Sequence, residues 1–148
     1  MNRTEIGNLL VQKINKSDWW HVPPRDVASY NKRGKFLASS FLQAEFYGRP
    51  NDIPEKVKIS APVFGFTEDE ILEQLFPGNV AQIRKDFKLD LEERHDDWYE
   101  KRTELDAKMF QHAREKGFDA IVLLNPTGKK YIEKHQKPHS IELNLLYP

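Results

Sequence analysis

Cysteine is absent from the 148 residues of this chain. That absence excludes disulfides, thiolate metal sites and cysteine redox chemistry. Net charge is missing too, because 23 Lys and Arg offset 23 Asp and Glu. No global field then draws the chain to DNA, RNA or an anionic membrane. No apolar run approaches the ~18–20 residues of a membrane span, and no apolar stretch of signal-peptide length follows Met1-Asn2-Arg3-Thr4-Glu5. A cytoplasmic protein is the expectation. A Gly-rich phosphate loop, a Gly-x-Ser-x-Gly elbow and a calcium loop are also lacking.

What is present suits one domain spanning 1–148. Such a length buries ~70% of the unfolded surface without staples. Thr4 with Ile6, Leu9, Leu10 and Ile14 has helical spacing behind a cap. Trp19-Trp20-His21-Val22 reads as a short strand stopped by Pro23-Pro24. Lys35-Phe36-Leu37-Ala38 reads as a second strand. Ser40 and Gln43 then have capping-box spacing for a brief helix ended by Gly48 and Pro50. Val57-Lys58-Ile59-Ser60-Ala61 alternates like a strand and ends at Pro62.

Thr67 with Glu70 and Asn79 with Gln82 are two further capping boxes. Helical character runs on to Lys116, with a break near Lys88–Asp90. Leu91, Trp98, Leu105 and Met109 form a stripe in which Trp98 is expected to be buried. Gly117 and Phe118 carry a helix-stop signal. Gly117–Leu124 and Ile141–Leu146 read as strands, joined by a loop over 125–139. Helices and strands do not alternate strictly. The expected fold is therefore α+β: a mixed, mostly antiparallel sheet of about five strands with helices packed on it.

Glu142 is the best clue to chemistry. On an extended segment Ile141, Leu143 and Leu145 share one face, while Glu142, Asn144 and Leu146 share the other. A carboxylate on an otherwise apolar strand is costly unless it has a partner or a task. Glu142 and Asn144 then line a cleft, or they project from a solvated edge strand. His21 sits between Trp20 and Val22, where a packed histidine is the common outcome and a chemical role the rarer one. Ser39-Ser40 offer two hydroxyls at a strand-to-helix junction, for an anion or simply as a cap. Tyr47 either stacks on a flat ring or fills the core.

Glu92, Glu93, His95, Asp96, Asp97 and Glu100 resemble a metal cluster only on paper. Successive helical residues point about 100° apart, so a solvated charged face is the better reading and no metal is expected. Lys129, Lys130, Lys134, His135, Lys137 and His139 make the segment 125–140 basic, a surface for a protein partner more than for nucleic acid.

Three segments resemble the ADP-ribosyltransferase-like superfamily. They are His21 in an early strand; Gly34-Lys35-Phe36-Leu37-Ala38-Ser39-Ser40 with Ala44 and Tyr47-Gly48; and Gly117-Phe118-Asp119-Ala120-Ile121-Val122 with the basic loop and Ile141-Glu142-Leu143. The resemblance implies that NAD is the substrate, cleaved between nicotinamide and ribose. It implies Glu142 and His21 as catalytic residues, with Ser39, Ser40, Tyr47 and Asn144 around the nucleotide. It implies an unknown acceptor, or water, met by the basic loop. Three departures stand out. Val22-Pro23-Pro24 follows His21; position 140 is Ser, so no second acid precedes Glu142 and an Arg-directed transferase is disfavoured; and the long charged helix around Glu92–Lys116 has no family counterpart. Two other classes stay open. One is a non-catalytic binding or regulatory domain anchored by Trp19, Trp20 and Trp98. The other is a metal-dependent hydrolase or nuclease using Glu92, His95 and Asp96.

Overall fold

The computed structural model describes residues 1–89, 96–134 and 138–148. Leu91, Glu92, Glu93, His95, His135 and Lys137 lie outside the described residues. In chain order the elements are α1 (Arg3–Lys16), β1 (Trp20–His21), α2 (Tyr30–Arg33), β2 (Lys35–Ala38), α3 (Phe41–Ala44), β3 (Pro62–Gly65), α4 (Glu68–Leu75), α5 (Val80–Asp86), α6 (Trp98–Glu115), β4 (Ala120–Leu123), α7 (Asn125–Glu133) and β5 (Glu142–Leu145). Single 3-10 turns cover Val27–Ser29 and Glu45–Tyr47.

The strands form one sheet in the order β1-β2-β5-β4-β3. Among the described residues β3 and β4 pair in parallel, and β1–β2, β2–β5 and β4–β5 are antiparallel. The α+β class and the mostly antiparallel five-stranded sheet follow the sequence pattern. Alternation along each strand sorts side chains between two cores. On one face Leu37, Phe64, Val122, Ile141 and Leu143 meet Ile6, Leu10 and Ile14 of α1 and Ile132 of α7. On the other, Val63, Ile121 and Leu146 meet α4, α5 and α6 through Ile71, Leu75, Ile83, Leu105 and Phe110. Trp19 is fully buried in the first core, and its indole N–H donates to the Ile14 carbonyl.

Local signals explain most element ends. Thr67 and Glu70 close both halves of the capping box that starts α4. Ser40 caps α3 through the Gln43 amide. Gly117 takes a left-handed φ of 87°, and the Phe118 N–H reaches back to the Ala113 carbonyl, which satisfies the end of α6.

Four expectations need correction. The segment 57–61 forms no strand among the described residues and bends at Ser60 and Ala61. Val57 and Ile59 are buried, yet the N–H groups of Ile59, Ser60 and Ala61 are taken by the side chains of Asn15 and Asp119. The strand begins instead at Pro62, the first residue of edge strand β3, where a missing N–H is tolerated. The supposed loop over 125–139 is helical from Asn125 to Glu133. Pro126 fits the first turn of a helix, and Ile132 anchors that helix in the core. Asn79 makes no capping bond, and Gln82 pairs with Asp86 instead. Trp98 is half-buried rather than buried, because it is the first residue of α6 and the buried stripe starts at Leu105.

β5 lies between β2 and β4, so its core residues carry both halves of the sheet. Leu143→Ala is expected to cost ~2–5 kcal/mol. A urea titration checks this, with the midpoint lowered and the slope unchanged.

Candidate functional site

β2, β3 and β4 all end on the side of the sheet where β5 begins, because β5 is antiparallel to β2 and β4 while β3 is parallel to β4. Glu142 is the first residue of β5, directly between Ala38 and Leu123. Its face is the one covered by α4 and α6. Tyr47, on the turn after α3, bends back over the sheet and donates its hydroxyl to Glu142 Oε1 at 2.7 Å. The Tyr47 ring stays 67% exposed, so only its hydroxyl end is enclosed. Burial, then the bond to Glu142, pushes its phenol up to about 12.

Beneath this pair is a cavity of about 70 Å³. Phe36, Asn144 and Glu142 line it from the sheet, Glu68 from α4, and Arg102 and Asp106 from α6. Arg102 grips Glu68 with both terminal nitrogens, at 3.0 and 2.5 Å, and meets Asp106 at 3.3 Å. This fork geometry gives a strong, oriented pair. Burial opposes the guanidinium charge, but the Glu68 hydrogen bonds and the charges of Asp106, Glu68 and Glu142 overcome it, so Arg102 holds its proton more tightly than usual. Asp106 goes the other way. Burial, aided by Glu68, lifts its carboxyl from 3.8 to about 6 against the opposing pull of Arg102 and Arg33. Among the described residues, Glu68, Asp106 and Glu142 line this cavity around Arg102.

The other residues singled out in the sequence fall into place unevenly. Asn144 shares the Glu142 face, as the alternation requires. Its amide donates to the Arg33 carbonyl at 2.9 Å. Its Oδ1 is buried without a hydrogen-bond partner and abuts Gly34, where a Cβ would lie 2.2 Å from it. Asn144 thus ties β5 to the turn before β2. Ser39 Oγ donates to Gln43, and Ser40 caps α3. Both hydroxyls are engaged, and α3 is only four residues long.

His21 does not share the cleft of Glu142. It pairs with Leu37, which pairs with Leu143, and so belongs to the opposite alternation from Glu142. Its ring lies between the Phe36 carbonyl at 2.7 Å and the Tyr30 hydroxyl at 2.8 Å. Burial lowers its pKa from the usual 6.5, partly offset by the Phe36 carbonyl. Asp97 is paired with Lys88, and among the described residues no group of three or more His, Asp or Glu is arranged to hold a metal ion.

Glu68, Arg102 and Asp106 escaped sequence reasoning. One signal was available. Arg102 and Asp106 are four apart, and Phe110 and Ala113 continue their row into the core. A charged pair in register with a buried stripe is a pair facing inward. Comparisons with family models, curated proteins and solved structures found nothing that matches the chain.

The raised Asp106 pKa has a consequence for stability. The folded chain keeps this proton to about pH 6, whereas the unfolded chain loses it at 3.8. Between those values the folded state binds more protons, so this group's contribution falls as pH rises, and the penalty is complete above the folded pKa. Asp106→Asn is expected to gain ~1–3 kcal/mol over the wild type at pH 8. The gain should vanish below about pH 4. Urea unfolding of both chains across pH 4–8 measures the difference.

Proposed function

We propose that this chain cleaves the nicotinamide–ribose bond of NAD and passes the ADP-ribose to water or to an acceptor, with Glu142 as the catalytic carboxylate. One observation carries the reading. The three segments that resemble the ADP-ribosyltransferase-like superfamily are remote in sequence, and they come together as neighbouring strands β1, β2 and β5. Tyr47 and Glu142, 95 residues apart, are in direct contact there.

Glu142 supplies what the bond cleavage needs. As nicotinamide departs, positive charge grows on the ribose, and a fixed carboxylate stabilises that charge more than it stabilises the ground state. Tyr47 fixes the carboxylate by its hydroxyl bond and leaves an exposed ring that a flat ligand can cover. The cavity is smaller than the ~300–1,000 Å³ of a drug-sized site. It accepts part of a ligand, and the rest lies over exposed Phe36 and Tyr47. His21 acts here by anchoring β1 to Tyr30 and β2, and Asn144 by holding the turn at Gly34.

A second reading has its own support. Leu42, Phe46 and Tyr47 are all strongly exposed within the segment 41–47. Clustered exposed apolar side chains mark binding surfaces, and a non-catalytic binding domain would use them for a protein partner.

Nicotinamide release from NAD decides between the two. The wild-type chain is expected to release it, and Glu142→Gln is expected to slow release ~10²–10³-fold. NAD should still raise the melting temperature of the variant, because the missing charge acts mainly in the transition state. Equal release by both chains would remove Glu142 from catalysis. A wild type that neither cleaves nor binds NAD would leave the binding domain.

A further inference from the structure

We propose that Asp106, presented by α6 to the cavity that Glu142 lines from the sheet, is the base that takes the proton from the incoming acceptor. The inference rests on the NAD-cleaving reading above and adds the second catalytic carboxylate which that reading lacks.

The need arises on β5 itself. Position 140 is Ser, with its carbonyl held by the Asn125 amide, so the strand brings no acid ahead of Glu142. Glu142 cannot serve as both charge stabiliser and base in one step, since protonation would remove the charge it contributes. Another group must accept the acceptor's proton. Glu68 is held in the Arg102 fork, and both terminal guanidinium nitrogens are spent on it. Asp106 has only the looser contact at 3.3 Å. It therefore keeps more of its basicity, and it enters the cavity from the wall opposite β5.

Arg102 faces Asp106 from its own helix, Glu68 from α4 and Arg33 from the end of α2. The Tyr47 hydroxyl feels its charge together with that of Glu142. Burial outweighs the two arginines and leaves the carboxyl titrating at about 6, in the range where a base works best at neutral pH. A buried charge held at a cost to stability is a usual mark of a working group.

The step balances without a co-reactant. The bond between the ribose C1′ and the nicotinamide nitrogen breaks, and its electron pair stays on that nitrogen and discharges the ring. A lone pair of the acceptor oxygen forms the new bond to C1′. The acceptor's O–H proton passes to an Asp106 carboxylate oxygen and leaves later to solvent.

The test uses the full chain with NAD, and nicotinamide release is the readout. Asp106→Asn is expected to lower the rate ~10²–10⁴-fold, the usual weight of a general base. Sodium azide, a nucleophile with no proton to lose, should restore release in Asp106→Asn and leave Glu142→Gln slow. The rise of the wild-type rate with pH through the Asp106 range should vanish in Asp106→Asn and persist in Asp106→Glu. A full rate in Asp106→Asn would overturn the inference. So would a loss that azide does not restore while NAD still shifts the melting temperature. A wild type inert toward NAD defeats the underlying reading, and this inference with it. An active wild type with an indifferent Asp106 defeats only the inference.

Discussion

Among the described strands β5 comes last in chain order and third of five in the sheet. Everything on either side is joined through it. β2 and β4 hydrogen-bond to its two edges, Ile141 and Leu143 fill the core under α1 and α7, and Leu146 fills the core under α4 and α6. Until the C-terminal segment inserts, β1 and β2 have no contact with β3 and β4 through the sheet. Such pairing closes long loops before it is rewarded, which slows folding. The same constraint places the carboxylate. A strand buried on both faces has no solvent side for a carboxylate. Only at its first residue, beside the strand ends, can Glu142 keep contact with water while Asn144, two residues on, is buried.

The electrostatics of the cavity follow from a shortage of cations. Glu68, Asp106 and Glu142 face one close guanidinium, and Arg102 commits itself to Glu68. That bridge joins α4 to α6 and shapes the cavity between them. Removing one partner of such a half-buried pair leaves the other uncompensated, so the bridge is a structural requirement more than a source of net stability. Glu142 is relieved by the Tyr47 hydroxyl, a neutral donor. Burial raises the Asp106 pKa against the pull of Arg102 and Arg33. A fold indifferent to chemistry would gain by replacing Asp106 with an amide or an apolar side chain.

The sequence reported local structure well where one side chain sufficed. The Thr67–Glu70 box and the Gly117–Phe118 stop act within one turn and stand as read, while Ser40 caps α3 but the Gln43 side chain bonds Ser39 and leaves that box half closed. β2 and the two-faced pattern of β5 were legible because strand alternation is local. The errors came where tertiary partners decided. Val57–Ala61 has strand composition, but Asn15 and Asp119 took the N–H groups that a ladder would have used. Pro126 and Gly128 looked like loop punctuation, yet Pro126 suits a first turn, and a Cβ at Gly128 would come within 3.0 Å of the His139 carbonyl. Of the site, Glu142 and Tyr47 were visible as single residues, but not as a bonded pair across 95 positions. Asp106 was hidden because a charged residue in a charged helix is unremarkable until the direction of its face is known.

The end of the sheet explains why a cavity forms here. β2, β3 and β4 point the same way, so the connections that follow Ala38, Gly65 and Leu123 all leave from one edge. Open sheets bind ligands in the crevice outside the carboxyl ends of such strands, since departing chains diverge and leave a gap. Here one connection folds back through α3 and delivers Tyr47, and another leads into α4 and delivers Glu68. α6 closes the gap from above with Arg102 and Asp106. The strand that enters at this edge, β5, runs against the other three and so starts where they stop. Its first side chain is Glu142. The reversed direction of one central strand therefore brings a carboxylate into the crevice that three other strand ends open.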